Sequence, residues 1–305
     1  MAKPYPGDWV LRTLLFVPGH NEKLSRKAAE TDADCVVLDI EDSVPPESKD
    51  DARVTIRRLL EEGCFRKKPV FVRVNSLETG RTLRDVDSVA CEELQGFVYP
   101  MTMSPEDILI FSAQLEMIES ERNLPSGFFS IIPVLETPLG VINAYPIAKA
   151  SSRTMALIFG CEDYLADVKG THYAEDVSLL HARMQLILAA RAVGAIPLDA
   201  AFVHVHDIDG FVQFASRARA LGMGGTAVLS PKQIPTAHAV YSPTEEQTIL
   251  ARKIVDGAEQ AKKENKGVVI IDGVFVSPPT LKGSLHTMHL SNAIAALEEF
   301  KKNGA

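Results

Sequence analysis

The chain has 305 residues, of which 46% are hydrophobic and 24% charged, and a formal net charge of -8 at pH 7. This is an ordinary globular composition, and its acidic balance argues against nucleic acid or an anionic membrane as the main partner. The four cysteines, Cys35, Cys64, Cys91 and Cys161, form no Cys-x-x-Cys spacing, so a zinc or redox motif is not expected and a reducing compartment suits them.

No apolar run approaches the ~18 residues of a membrane span. Residues 1–10 carry neither a signal-peptide core nor an Arg-rich transit pattern. The expected location is cytoplasmic, with the mitochondrial matrix as the alternative if a transit peptide has been removed.

Eight short runs read as strands in chain order: Thr13–Val17, Cys35–Asp39, Val70–Asn75, Gly96–Tyr99, Phe129–Leu135, Met155–Gly160, Ala201–His206 and Thr226–Leu229. Most are continuously apolar, as strands buried on both faces require. Helical spacing marks Asn21–Thr31, Lys49–Glu62, Glu106–Arg122, Val177–Ala192 and Gly210–Leu221 between them. Ser104-Pro105 and Thr137-Pro138 read as helix caps followed by a proline at the first helical position. Eight alternating units of roughly 30 residues predict a (β/α)8 TIM barrel. A doubly wound sheet is disfavoured, because Pro18-Gly19-His20-Asn21 is too short for a dinucleotide loop.

The barrel core is expected over residues 1–235 and a C-terminal extension over 236–305. In the extension, Thr244–Asn265 reads as a long helix. Val268–Ile271 and Val274–Val276 flank the hairpin turn Asp272-Gly273, and Ser291–Lys301 reads as a last helix. The extension exceeds what closing a barrel needs, so it is expected to cover a barrel mouth, its own or a neighbour's.

Barrel active sites lie at the C-terminal strand ends, and four of the runs end there in charge: Asp39, Arg73, Glu136 and the pair Glu162-Asp163. Glu136 and Asp163 on adjacent strands suit an oxygen-ligand metal, Mg²⁺. Arg73 suits a substrate carboxylate; its alternative is pairing with Asp39 or Glu41. Asp39 is expected to act through a metal-bound water, while Glu41 and Asp42 are read as structural. His204 and His206 alternate along the predicted seventh strand and, with His20, raise the question of zinc. His20 belongs to a distant loop, so hydrogen-bonding roles are preferred for all three. No Gly-x-Ser-x-Gly elbow supports a serine hydrolase.

Several segments in order resemble the citrate lyase β-subunit-like and malyl-CoA and citramalyl-CoA lyase family, within the HpcH/HpaI aldolases. They are Leu14-Leu15-Phe16-Val17-Pro18-Gly19, Leu38-Asp39-Ile40-Glu41-Asp42-Ser43-Val44 with Lys49 and Ala52-Arg53, and Val72-Arg73-Val74-Asn75. Further on come Leu135-Glu136-Thr137-Pro138-Leu139-Gly140, Phe159-Gly160-Cys161-Glu162-Asp163-Tyr164 and Ala189-Ala190-Arg191-Ala192-Val193-Gly194. The resemblance covers about residues 11–235. It implies a pyruvate-binding barrel, a homotrimer or hexamer, Mg²⁺ (or Mn²⁺) on Glu136 and Asp163, and Arg73 on the carboxylate of a 2-oxo acid. Gly160, Cys161 and Glu162 would lie beside that acid, and Arg12 would be a further substrate contact. Two departures stand out. Ser277 replaces an acid in a pattern like Gly-x-Met-Ile-Asp-x-Pro, and Leu229-Ser230-Pro231 replaces an Ile-His-Pro pattern.

The resulting expectation is a carbon–carbon lyase that takes a 3-hydroxy-3-carboxyacyl-CoA of citramalyl- or malyl-CoA type to acetyl-CoA and pyruvate or glyoxylate. Arg73 and Asp39 are the expected catalytic residues. The alternatives are a metal-dependent aldolase on free hydroxy-oxo acids and a malyl-CoA-type thioesterase.

Overall fold

Apolar runs that are hydrophobic on both faces bury best as parallel strands under a jacket of helices, and eight of them here close on themselves in the order β1 to β8. The computed structural model describes residues 8–264 and 270–303. The strands are β1 (Thr13–Pro18), β2 (Cys35–Asp39), β3 (Val70–Arg73), β4 (Gly96–Tyr99), β5 (Ser130–Leu135), β6 (Ala156–Phe159), β7 (Ile196–Asp199) and β8 (Gly225–Val228). The helices around them are α1 (Glu22–Ala29), α2 (Lys49–Glu61), α3 (Thr82–Val89), α4 (Pro105–Glu121), α5 (Pro138–Ile142), α6 (Ala144–Lys149), α7 (Cys161–Asp167), α8 (Val177–Val193), α9 (Ile208–Leu221) and α10 (Ile234–Tyr241). The expected (β/α)8 barrel is therefore observed. Ser104 caps α4 in a reciprocal box with Asp107, and Thr137 caps α5 through the Gly140 N–H.

The seventh strand falls elsewhere than expected. It is Ile196–Asp199, and residues 201–206 form the irregular segment after it. A proline inside Ile196-Pro197-Leu198-Asp199 argued against a strand, while the alternating Val203-His204-Val205-His206 imitated one. Pro197 is tolerated because the ladder is short there: β7 meets β6 over three residue pairs and β8 over two.

The entry end of the barrel is closed by buried ions. The Arg12 side chain donates to Asp34 from Nε at 2.8 Å and from Nη2 at 2.7 Å, and its backbone N–H donates to the same carboxylate at 2.9 Å. Both residues stand just before their strands, at the end opposite the mouth. Arg12 is thus a strut of the barrel floor and not a substrate contact. Farther round, Arg153 donates to Glu119, whose oxygens also accept from the Gly127 and Phe129 amides.

Residues 8–10 and Ser242–Asn303 make a second unit. It holds α11 (Glu245–Lys263), the hairpin β9 (Ile270–Ile271) with β10 (Val274–Phe275), and α12 (Pro278–Asn303). Val10, Ala293, Leu297 and Phe300 form its core. The predicted hairpin is present around Asp272-Gly273, though Asn265 and Val268-Val269 lie outside the described residues. The last helix starts at Pro278, well before Ser291. Pro278 and Pro279 suit the first helical turn, where their missing N–H groups lose nothing. Ser277 Oγ accepts from the Thr280 N–H at 3.4 Å, as a cap does. No described helix is long and apolar enough to cross a membrane.

Removing one partner of a buried ion pair strands the other charge. Asp34→Ala is therefore expected to lower stability by about 3–5 kcal/mol, read as a reduced urea midpoint with unchanged slope. An unshifted midpoint would mean that the Arg12 strut carries no weight in the floor.

Candidate active site

Parallel register sets the first contact of the mouth. β2 and β3 pair so that Asp39 stands beside Arg73 as the last residue of each strand. Arg73 donates from Nε and Nη2 to the two oxygens of Asp39, each at 2.7 Å. Its Nη1 lies 2.8 Å from Glu41 Oε2, and the guanidinium sits 5.4 Å from the centroid of the Phe16 ring. Asp39 in turn accepts from the Glu41 amide at 2.9 Å, the Ser43 amide at 3.1 Å and the Ser43 hydroxyl. Burial raises the Asp39 carboxyl's pKa, but Arg73 and Ser43 outweigh it, and the group sits below its ordinary value. Burial also works against the Arg73 charge, and Asp39 and Glu41 hold its pKa above the usual value.

Asp39 is thereby engaged on both oxygens and is a weak base. It holds Arg73 in place. Arg73 is paired with Asp39 and Glu41, as its alternative reading has it, and it also lines the cavity.

Glu136 directly follows β5 and is 5% exposed. Its Oε1 accepts from the Met101 amide at 2.6 Å. Asp163 belongs to the first turn of α7, four residues past β6, and with Glu136 lines the same cavity. The approach of Glu136 to the end of β6 depends on Gly160: a Cβ there would lie 2.4 Å from Glu136 Cβ and 2.7 Å from its Oε2. Burial pushes the Glu136 carboxyl up to about 7, against the Met101 N–H and with help from the Asp163 charge. Burial and the neighbouring Asp42 raise Asp163 as well. Glu41 is pushed up to about 8, because burial outweighs Arg73. Two adjoining carboxylates that resist ionising, in a pocket with one guanidinium, form a site short of positive charge. A divalent cation with oxygen ligands fits that deficit.

These groups line one cavity of about 370 Å³. Asp39, Ser43, Arg73, Glu136, Glu162 and Asp163 make its polar side, with Gly160 and Cys161 between them. Phe16, Ile158, Ala200, Val203, Ala227 and Leu229 make its apolar side. All the residues expected at the site are thus gathered except Arg12. His204 and His206 lie in the irregular segment after β7 and His20 in the turn after β1; none of them lines the cavity. His172 went unnoticed in the sequence: its Nε2 lies 2.9 Å from Glu162 Oε1. Cys161, Glu162 and His172 come close enough to share an ion. However, burial and the Glu162 charge raise the Cys161 thiol's pKa, which makes it a poor ligand.

Residues 12–231 match the family model described as HpcH/HpaI aldolase/citrate lyase. The chain belongs to that family. It is 32% identical over 270 residues to the citrate lyase subunit beta of Escherichia coli strain K12, covering 88% of this chain and 89% of that one. It is 28% identical over 293 residues to the mitochondrial citramalyl-CoA lyase of Mus musculus, covering 93% and 86%. Among solved structures, the protein CitE from Mycobacterium tuberculosis in complex with magnesium, acetoacetate and coenzyme A is 26% identical. It aligns with a TM-score of 0.70 over 93% of this chain and 98% of that one.

The strained Glu136 makes a prediction about the metal-free protein. Its carboxyl has the ordinary value of 4.5 in the unfolded chain, and burial pushes it up to about 7 in the fold. Folding therefore favours the protonated form, and stability falls as pH rises between those values. Glu136→Gln keeps an acceptor for Met101 and removes the charge. At pH 8 in EDTA it is expected to unfold at a higher urea concentration than the parent, by roughly 2–3 kcal/mol. The gain should vanish near pH 4. A destabilised Glu136→Gln protein at pH 8 would contradict the crowding of charge.

Proposed function

We propose that this protein is a Mg²⁺-dependent carbon–carbon lyase acting on a 3-hydroxy-3-carboxyacyl-CoA of citramalyl- or malyl-CoA type, giving acetyl-CoA and pyruvate or glyoxylate. The observation that carries this reading is the meeting of Glu136, Asp163 and a clamped Arg73 around one cavity. Glu136 and Asp163 would hold the Mg²⁺, which when bound supplies Lewis-acid polarisation of the substrate's oxygen atoms.

The bond to be broken joins the 3-hydroxyl carbon to the acyl α-carbon. Its cleavage, with the hydroxyl proton passing to solvent, leaves a 2-oxo acid and a thioester enolate, whose α-carbon takes up a proton to give acetyl-CoA. Arg73 receives the 3-carboxylate on the N–H groups left over from Asp39 and Glu41, which fixes the orientation of the breaking bond. The enolate oxygen needs donors. The first-turn amides of α7 have no carbonyl of their own helix to bond and are the nearest source beside Asp163. The apolar side of the cavity shields the enolate from water. A cavity of about 370 Å³ holds the acyl part only; the residues after Tyr241 are proposed to serve the CoA portion, in a homotrimer or hexamer.

The test is a panel of malyl-, citramalyl- and citryl-CoA, followed by release of 2-oxo acid. Activity is expected to disappear in EDTA and to return with Mg²⁺ or Mn²⁺. Asp163→Asn and Glu136→Gln should each nearly abolish turnover in a folded protein. Thiol release without 2-oxo acid would replace the lyase by a thioesterase. Because a proton and the cation compete for Glu136, Mg²⁺ affinity by calorimetry should rise with pH up to and through about 7.

Arg73→Lys keeps a charge but loses the fork shared with Asp39. It is expected to raise KM for the CoA ester at least tenfold, the equivalent of about 1.4 kcal/mol. Parental kinetics in that variant would remove Arg73 from the substrate's carboxylate.

A further inference from the structure

Glu41 closes the clamp on Arg73 with an ion pair at 2.8 Å, and it stands in the loop between β2 and α2. The loop's backbone is held from α2. Lys49 Nζ donates to the Ile40 carbonyl at 2.7 Å and to the Glu41 carbonyl at 2.9 Å. Its third bond goes to Asn75 Oδ1 at 2.8 Å. All three partners are neutral, and Lys49 is 8% exposed. A buried ammonium on neutral acceptors is an expensive way to tie a loop. A neutral side chain cannot bring three N–H groups from one atom onto three converging oxygens.

The tie is itself braced. Asn75, two residues past β3, donates from Nδ2 to Asp85 at 2.7 Å, and its backbone N–H reaches the same oxygen at 2.8 Å. Arg53 donates from Nε to the other oxygen of Asp85 at 2.8 Å. Asn75 and Asp85 are 2% and 0% exposed. The chain of bonds therefore runs from α2 and α3 to the two carbonyls that set where Glu41 stands.

We infer that Lys49 is a positioning residue for the carboxylate seat of the site: by holding the Ile40 and Glu41 carbonyls, it keeps Glu41 against Arg73 and so aims the remaining N–H groups of Arg73 at the bound acid. This rests on the reading of Arg73 given above. It requires Lys49 and Glu41 to act through one contact, which a general packing role for Lys49 does not.

The experiment measures pyruvate binding by calorimetry at saturating Mg²⁺ in the full-length protein, with Lys49→Met, Glu41→Gln and the double variant. Each single variant is expected to weaken pyruvate about tenfold, and the double variant about tenfold again in total, not a hundredfold, because the effects share one path. Thermal melts check folding. Should Lys49→Met not fold, Lys49→Arg takes its place in the cycle. It keeps charge and donors but cannot focus them from one atom, so it is expected to weaken pyruvate and to couple to Glu41→Gln in the same way. A folded Lys49 variant that binds as the parent does, or effects that multiply to about a hundredfold, overturns the inference and leaves the lyase reading standing. A parent protein that binds no pyruvate with Mg²⁺ overturns both.

Discussion

The pairing of Asp39 with Arg73 is the constraint on which the mouth of this barrel depends. Parallel register makes the two residues neighbours at the ends of β2 and β3. A guanidinium held on Nε and Nη2 by one carboxylate cannot rotate, so its other edge has a fixed direction. The pair also decides the charge of the cavity. Arg73 is surrounded by Asp39, Glu41, Asp42, Glu136 and Asp163, and it is the single lysine or arginine lining the cavity among the described residues. Removing it would leave a pocket of acids with nothing to balance them.

That balance is incomplete by construction. Asp39 satisfies Arg73 and is lowered, whereas Glu136 and Glu41 are left raised to about 7 and about 8. Carboxyls held in such states weaken the empty fold and are useful only when something positive arrives. Gly160 sharpens the point, since it exists as glycine to let Glu136 come within contact of the β6 end. The barrel compensates at its other end, where Arg12 with Asp34 and Arg153 with Glu119 are fully paired. Charge at the floor is satisfied and structural, and charge at the mouth is unsatisfied and available. The same division of labour between the two ends is general to this architecture.

This division explains what could be read from the sequence. Strand ends were legible because a charge after a continuous apolar run has few places to go, and Asp39, Arg73, Glu136 and Asp163 were all found that way. Side-chain direction was not legible. Arg12 stands one residue before β1, and only the structure shows that it turns to Asp34 at the floor. The seventh strand was missed because Pro197 hid a real strand and the histidine alternation after it suggested a false one. The pairing of Asp39 was only half legible: sequence gives a carboxylate but not whether its oxygens are already taken. The Lys49–Asn75–Asp85 chain was not legible as a network, since its members lie 10 or more positions apart, and the same separation hid the His172–Glu162 contact.

The polar half of the cavity fixes the class of chemistry, and the apolar half must then fix the choice among substrates of that class. A hydrogen and a methyl at the third carbon differ by only about 1 kcal/mol of burial, so no charged residue of the mouth can discriminate between them. The apolar surface of the cavity is built from Phe16, Ile158, Ala200, Val203, Ala227 and Leu229. Leu229 directly follows β8, Ala200 directly follows β7, and Val203 lies within the irregular segment after β7. Four of these six residues therefore lie on or just after β7 and β8, apart from the clamp at the ends of β2 and β3. Substitutions on that side can reshape the cavity while leaving Asp39, Arg73, Glu136 and Asp163 undisturbed.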